Sequence, residues 1–280
     1  MGDLKIAVML GSLRLEPYQG MVKVAELGVT GIHLSIDGGP FAPENMNQAA
    51  RRELVRHLGT LGLEISAVSC WGGQVDLTEA DQHEANLPWA FRILDMAADL
   101  GCGIWQGHIG IIPSDFESAK GQAAISAARQ IAEHGEKVGA CLAIETGPEP
   151  PVVLKRLIET VGSDAIRINY DPANLVLWPP HLFTLEGKPY DKSEAMRLYD
   201  PHEGVEVLGP YTVHTHAKDA RVSEDGRAQE VPLGEGWIDW PRYVSSLRRH
   251  GFDGYFAIER EVGEDPVGDI TRAVRFLQGL

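Results

Sequence analysis

Positive charge is scarce in this chain: 25 Lys and Arg face 40 Asp and Glu, a formal net charge of −15 over 280 residues. A field of that sign repels polyanions, and no cluster of Lys or Arg interrupts it to build a basic groove. The composition argues against nucleic acid and membranes as partners and favours small neutral molecules or metal cations. Cysteine is sparse as well. Cys70, Cys102 and Cys141 are odd in number, scattered, without CxxC spacing and set among apolar residues. They read as buried structural thiols in a reducing cytoplasm rather than as a disulfide framework. No window is apolar enough to span a bilayer, and MGDLKIAVML passes directly into a strand-like run without the features of a secretory signal. A glycine-rich phosphate turn is missing too: GSLRLEP, after the first strand-like run, holds no GxGxxG, which disfavours a doubly wound sheet.

What is present is an alternation. Strand-like runs occupy 4–10, 31–36, 63–70, 103–110, 141–145, 165–171, 211–217 and 255–259, with helical patterns between them. The clearest helix places Trp240, Tyr243, Val244 and Leu247 at i, i+3, i+4 and i+7, with Asp239 as N-cap and Gly251 closing it. In the last one Val267, Ile270, Val274 and Leu277 share a stripe. With no linker and no compositional boundary, this order predicts an α/β fold in which residues 1–280 form a single (β/α)8 TIM barrel. The longest connection, from Asp171 to Tyr211, reads as a loop at about 172–199 that could serve as a lid, helical only after Asp200. Its Trp178, Phe183 and Tyr190 are unusual for a merely solvated tether.

In such barrels chemistry sits at the C-terminal ends of the strands. There the sequence offers Glu145 (LAIETG), Asp171 (NYDPAN), His216 (VHTHAKD) and Glu259 (FAIERE), each after an apolar run. Three carboxylates in one mouth repel one another, and a divalent cation removes that objection. Carboxylate oxygens plus one imidazole suit Mn²⁺ first, then Mg²⁺, with Co²⁺ or Zn²⁺ as alternatives; no thiolate stands at these positions to suggest structural zinc. In TVHTHAKDA the strand period puts His214, His216 and Lys218 on one face, with His216 at the strand end and His214 deeper, where it reads as filling the barrel in preference to contacting substrate. Lys218 reads either as a substrate-oxygen donor or as the partner of an acidic loop residue. His108 is a candidate for a substrate hydroxyl or carbonyl, against a core histidine. Trp71 and Trp237 could offer sugar-stacking faces, against simple packing.

The stretches IETGPEP, NYDPANL, HTHAKDA and VPLGEGWIDWPRYVSSLRRHGFDGYFAIERE resemble the sugar phosphate isomerase/epimerase superfamily of xylose isomerase-like TIM barrels, which includes ketose 3-epimerases and inosose dehydratases. The resemblance covers nearly the whole chain. It implies metal ligation by Glu145, Asp171, His216 and Glu259, with Glu145 and Glu259 as the catalytic acid/base pair. It also implies substrate contacts near Glu235 in the LGEG turn. Two positions depart from the epimerase pattern: Asn174 stands where many epimerases have histidine, and Arg221 matches their substrate arginine only with a one-residue shift. The implied activity is metal-dependent epimerisation or isomerisation of a ketose or related polyol-ketone through an enediolate, with dehydration second. An endonuclease IV-type phosphodiesterase is disfavoured by the net charge, and a non-catalytic sugar binder has no need of paired carboxylates. A homo-oligomer is compatible with the sequence.

Overall fold

The computed structural model describes residues 3–70 and 76–280. Eight parallel strands close into a barrel: β1 Ile6–Met9, β2 Gly31–Ser35, β3 Glu64–Ser69, β4 Ile104–Gly107, β5 Cys141–Glu145, β6 Ile166–Tyr170, β7 Thr212–Ala217 and β10 Phe256–Ile258. Around the ring the order is β1, β10, β7, β6, β5, β4, β3, β2, so β10 seals the barrel against β1. A short antiparallel hairpin, β8 Asp219–Val222 with β9 Ala228–Val231, follows β7. The helices are α1 Pro17–Glu26, α2 Gln48–Thr60, α3 His83–Asp99, α4 Ala119–Val138, α5 Pro151–Val161, α6 Asn174–Leu185, α7 Lys192–Tyr199, α8 Pro201–Leu208, α9 Trp240–Arg249 and α10 Pro266–Gln278. This is the (β/α)8 architecture that the alternation predicts.

Local chemistry sets the boundaries. Asp239 caps α9 by accepting from the Arg242 amide at 3.0 Å, and Trp240, Tyr243, Val244 and Leu247 are all buried on the barrel side. Asp265 caps α10 through the Gly268 amide, also at 3.0 Å. Asp219, just beyond β7, is a buried carboxylate used for architecture. It accepts from the amides of Gly234 and Gly236 and from the Trp240 indole at 2.9, 3.1 and 3.0 Å. A Cβ on Gly236 would lie 1.9 Å from its Oδ1, so this turn requires glycine. Arg14, the one non-glycine residue in the left-handed region among those described (φ 51°), donates to the carbonyls of Glu261 and Gly263. It ties the loop after β1 to the loop after β10.

The stretch from Asp171 to Tyr211 departs from the expected loop, because α6, α7 and α8 fill most of it. Pro179 and Pro180 lie inside α6 and are buried, as are Leu175, Val176 and Phe183. Trp178 packs so closely on Gly147 that a Cβ there would meet its ring at 2.7 Å. Phe183 and Tyr190 meet edge to face at 5.7 Å. Burial of this apolar surface outweighs the helix-breaking tendency of the proline pair. Of the three thiols expected to be buried, Cys70 is, while Cys102 and Cys141 are half-buried; their surroundings still push Cys102 up to about 11 and Cys141 up to about 12, away from reactivity. Among the described residues no helix is long and apolar enough to cross a membrane.

Glu149 links two loops at the barrel's C-terminal end. It is buried, accepts from the Ile112 amide at 2.7 Å, and burial pushes its carboxyl up to about 8. The folded chain therefore holds this proton more tightly than the unfolded chain. Its contribution to stability is full below the ordinary carboxyl value and is lost as pH rises towards about 8. Chemical denaturation of the parent should show stability falling between about pH 5 and about pH 8 by an amount on the order of 2–4 kcal/mol, with no further fall from this group above that, and Glu149→Gln should flatten that slope. Parallel curves for parent and variant would remove Glu149 as the cause.

Candidate metal centre

Four adjoining strands, β10, β7, β6 and β5, deliver the four predicted ligands to one point. Glu145 ends β5, Asp171 follows β6, His216 lies near the end of β7 and Glu259 follows β10; all four are buried. Their ligand atoms lie within 4.8 Å of one another. His216 Nδ1 is the hub, 3.1 Å from Glu145 Oε1, 3.1 Å from Glu259 Oε2 and 3.5 Å from Asp171 Oδ2.

Each carboxylate is oriented by a different set of donors. The Asn174 amide donates to Glu145 Oε1 at 3.0 Å, the Gln106 amide donates to Oε2 at 2.5 Å, and His108 Nε2 stands 3.5 Å from Oε2. Asp171 Oδ1 accepts the amides of Ala173 and Asn174 at 2.8 and 3.1 Å, where α6 begins. Its backbone is fixed on both sides by the Thr146 hydroxyl. Asp171 Oδ2, buried and turned towards His216, has no hydrogen-bond partner among the described residues. Glu259 Oε2 accepts from the buried Lys218 ammonium at 3.1 Å, and Lys218 also donates to Glu261 at 2.5 Å.

The electrostatics follow from that geometry. Burial disfavours charge on Glu259, yet His216 and Lys218 outweigh it and hold this carboxyl well below the usual carboxylate range. Glu145 is lowered against burial by His108 and His216, whereas burial raises Asp171. His216 is raised well above its ordinary value because Glu259 and Glu145 overcome the burial that would keep it neutral. With His216 neutral, the three carboxylates and Lys218 sum to −3 + 1 = −2, which one divalent cation balances. The oxygen-rich donor set, that charge and the Asp171 Oδ2 that accepts no hydrogen bond among the described residues all fit a hard divalent ion.

The remaining candidates divide. Asn174 and His108 reach the cluster through Glu145, and Lys218 through Glu259. His108 also lies edge-on to Trp178, 6.1 Å between ring centres. His214 is held at both nitrogens, by Asn169 Oδ1 at 2.8 Å and Ser66 Oγ at 3.1 Å. Arg221 and Glu235 are exposed, and among the described residues no hydrogen bond or ion pair joins either to the four candidate ligands. Trp237 is half-buried with the Lys192 ammonium 3.9 Å above its ring. Trp71 lies outside the described residues. Gln106 and His33, absent from the sequence-based candidates, belong to the centre: His33 Nδ1 lies 3.3 Å from His216 Nε2. Their signal was a polar residue inside an apolar strand run.

The family model for the xylose isomerase-like TIM barrel matches residues 21–280, and the chain belongs to that family. A xylose isomerase domain protein from Planctomyces limnophilus is similar over 99% of this chain and 96% of its own, with 21% identity and a TM-score of 0.79. A xylose isomerase-like TIM barrel protein from Mycobacterium smegmatis, in complex with magnesium, is 20% identical, with a TM-score of 0.74 over 100% of this chain and 98% of its own. At these identities the likeness shows the fold. Epimerases acting on tagatose, psicose and ribulose, or like those that do, and a probable dehydratase also occur among the structural neighbours. In sequence, L-ribulose-5-phosphate 3-epimerase UlaE of Escherichia coli is 34% identical over 65 residues, 22% of this chain and 22% of its own length.

A cation held by these four residues would replace the proton on His216 Nδ1, so metal uptake should release about one proton per chain near neutral pH, and affinity should rise with pH. Calorimetry with Mn²⁺ in buffers of different ionisation enthalpy measures both. Asp171→Ala should abolish tight binding; full stoichiometry and affinity in that variant would sink the ligand assignment.

Proposed function

We propose that this chain is a divalent-metal-dependent epimerase or isomerase of a ketose or related polyol-ketone. The observation that carries the reading is the pairing of two buried glutamates, Glu145 and Glu259, each 3.1 Å from the same imidazole nitrogen and delivered by the outer two of four adjacent strands. Glu145, Asp171, His216 and Glu259 would hold the ion, Mn²⁺ before Mg²⁺, Co²⁺ or Zn²⁺. When bound, such an ion supplies a positive centre that eases negative charge developing on a carbonyl oxygen.

The chain's own residues do the rest. One glutamate takes the proton from the carbon beside the carbonyl at a carboxylate oxygen, and the other returns a proton from the opposite side. Return to the same carbon with inverted geometry is epimerisation, and return to the neighbouring carbon is isomerisation. Loss of a β-hydroxyl after the same first step is dehydration, the second reading. His108, which lies beside Trp178 and Glu145, and Lys218, which pairs with Glu259, would donate to substrate oxygens. Sequence similarity to a sugar-phosphate 3-epimerase supports the substrate class; it rests on 65 aligned residues.

Glu145→Gln and Glu259→Gln, once shown to bind metal, should each lower turnover roughly 10²-fold or more on a ketose that the parent converts. In deuterium oxide, a variant with one base left should wash label into substrate from its own side without forming the epimer. Parent-rate conversion by both metal-loaded variants would rule out the two-glutamate mechanism. Accumulation of a dehydrated product by the parent would move the assignment to the second reading.

A further inference from the structure

His33 sits in β2, across the barrel interior from β7, and is completely buried. The two nitrogens of His216 face different neighbours: Nδ1 faces the three carboxylates, and Nε2 faces His33 Nδ1 at 3.3 Å. A neutral imidazole carries one N–H. For Nδ1 to offer its lone pair to a cation, the hydrogen must sit on Nε2, and a buried N–H needs an acceptor. We infer that His33 is a positioning residue of the metal centre, whose Nδ1 accepts from His216 Nε2 and so fixes His216 in the tautomer that ligates through Nδ1.

This assignment accounts for a feature that packing does not. With Nδ1 as acceptor, His33 carries its own hydrogen on Nε2, and that buried atom has no hydrogen-bond partner among the described residues. An aliphatic side chain would fill the position without that cost. The ring of His33 is steadied from the other side by His214, which meets it edge to face at 4.9 Å and 78°. His214 is itself clamped by Asn169 and Ser66. Orientation thus passes from Asn169 and Ser66 through His214 and His33 to the ligand. The three imidazoles do not form a second metal site, because both nitrogens of His214 are engaged and His216 Nε2 is directed at His33.

The inference rests on the metal reading proposed above but not on the reaction. Its test compares Mn²⁺ affinity by calorimetry in the parent, His33→Gln and His33→Met, with nitrogen-15 NMR of the Zn²⁺-loaded forms. Glutamine keeps an oxygen that can accept from His216 Nε2, and methionine of similar length offers no strong acceptor. His33→Gln should bind within about threefold of the parent and His33→Met roughly 10- to 100-fold more weakly. A slowly exchanging His216 Nε2–H signal should persist in the glutamine variant and vanish in the methionine variant. Equal affinity in both variants, whether parental or reduced, would overturn the role, as would two ions per chain in the parent. Should His33→Met fail to fold, the glutamine variant decides: parent-like affinity with the Nε2–H signal supports the role, and a tenfold loss or a lost signal overturns it. A parent that binds no Mn²⁺ overturns the metal reading itself, an outcome distinct from the others.

Discussion

Three carboxylates share one buried mouth with a single imidazole, and their mutual repulsion is the constraint to which the surrounding structure answers. No two of them are relieved in the same way. Glu145 is held by two side-chain amides, Asp171 by the amides at the start of α6, and Glu259 by a buried ammonium. Distinct supports fix distinct orientations, so one oxygen of each carboxylate, Glu145 Oε1, Glu259 Oε2 and Asp171 Oδ2, converges on His216 Nδ1 instead of scattering. The barrel makes this affordable in geometric terms, since parallel strands end at one level and α6 begins where Asp171 needs donors.

Much of this centre was legible in the sequence because strand-end position and residue type coincide. Glu145, Asp171, His216 and Glu259 each close an apolar run, and period-two alternation alone aligns His214 with His216. The supports were harder to read. Gln106 and His33 lie inside apolar strands, where a polar residue looks like an interruption, and nothing local says that one reaches Glu145 and the other crosses the barrel to His216. Long-range closure brings those pairs together, and one sequence carries no trace of it beyond the polar residue itself. The helices between Asp171 and Tyr211 were obscured for the opposite reason, since local proline signals were strong and the tertiary burial that overrides them was invisible.

Lys218 shows how a structural and a functional reading can hold at one side chain. An ammonium has three donors. One goes to the buried Glu259 and another to Glu261, whose side chain is 60% exposed. The first bond balances charge in the interior. The second joins a carboxylate that stays largely solvated, so Glu261 can return to water when another oxygen takes its place on the buried ammonium. A polar group entering the mouth can therefore replace Glu261 while Glu259 keeps its counter-charge. In the proposed reaction that exchange would let Lys218 contact substrate without unbalancing the centre, and the exposed Glu261 would serve as a stand-in for the incoming oxygen.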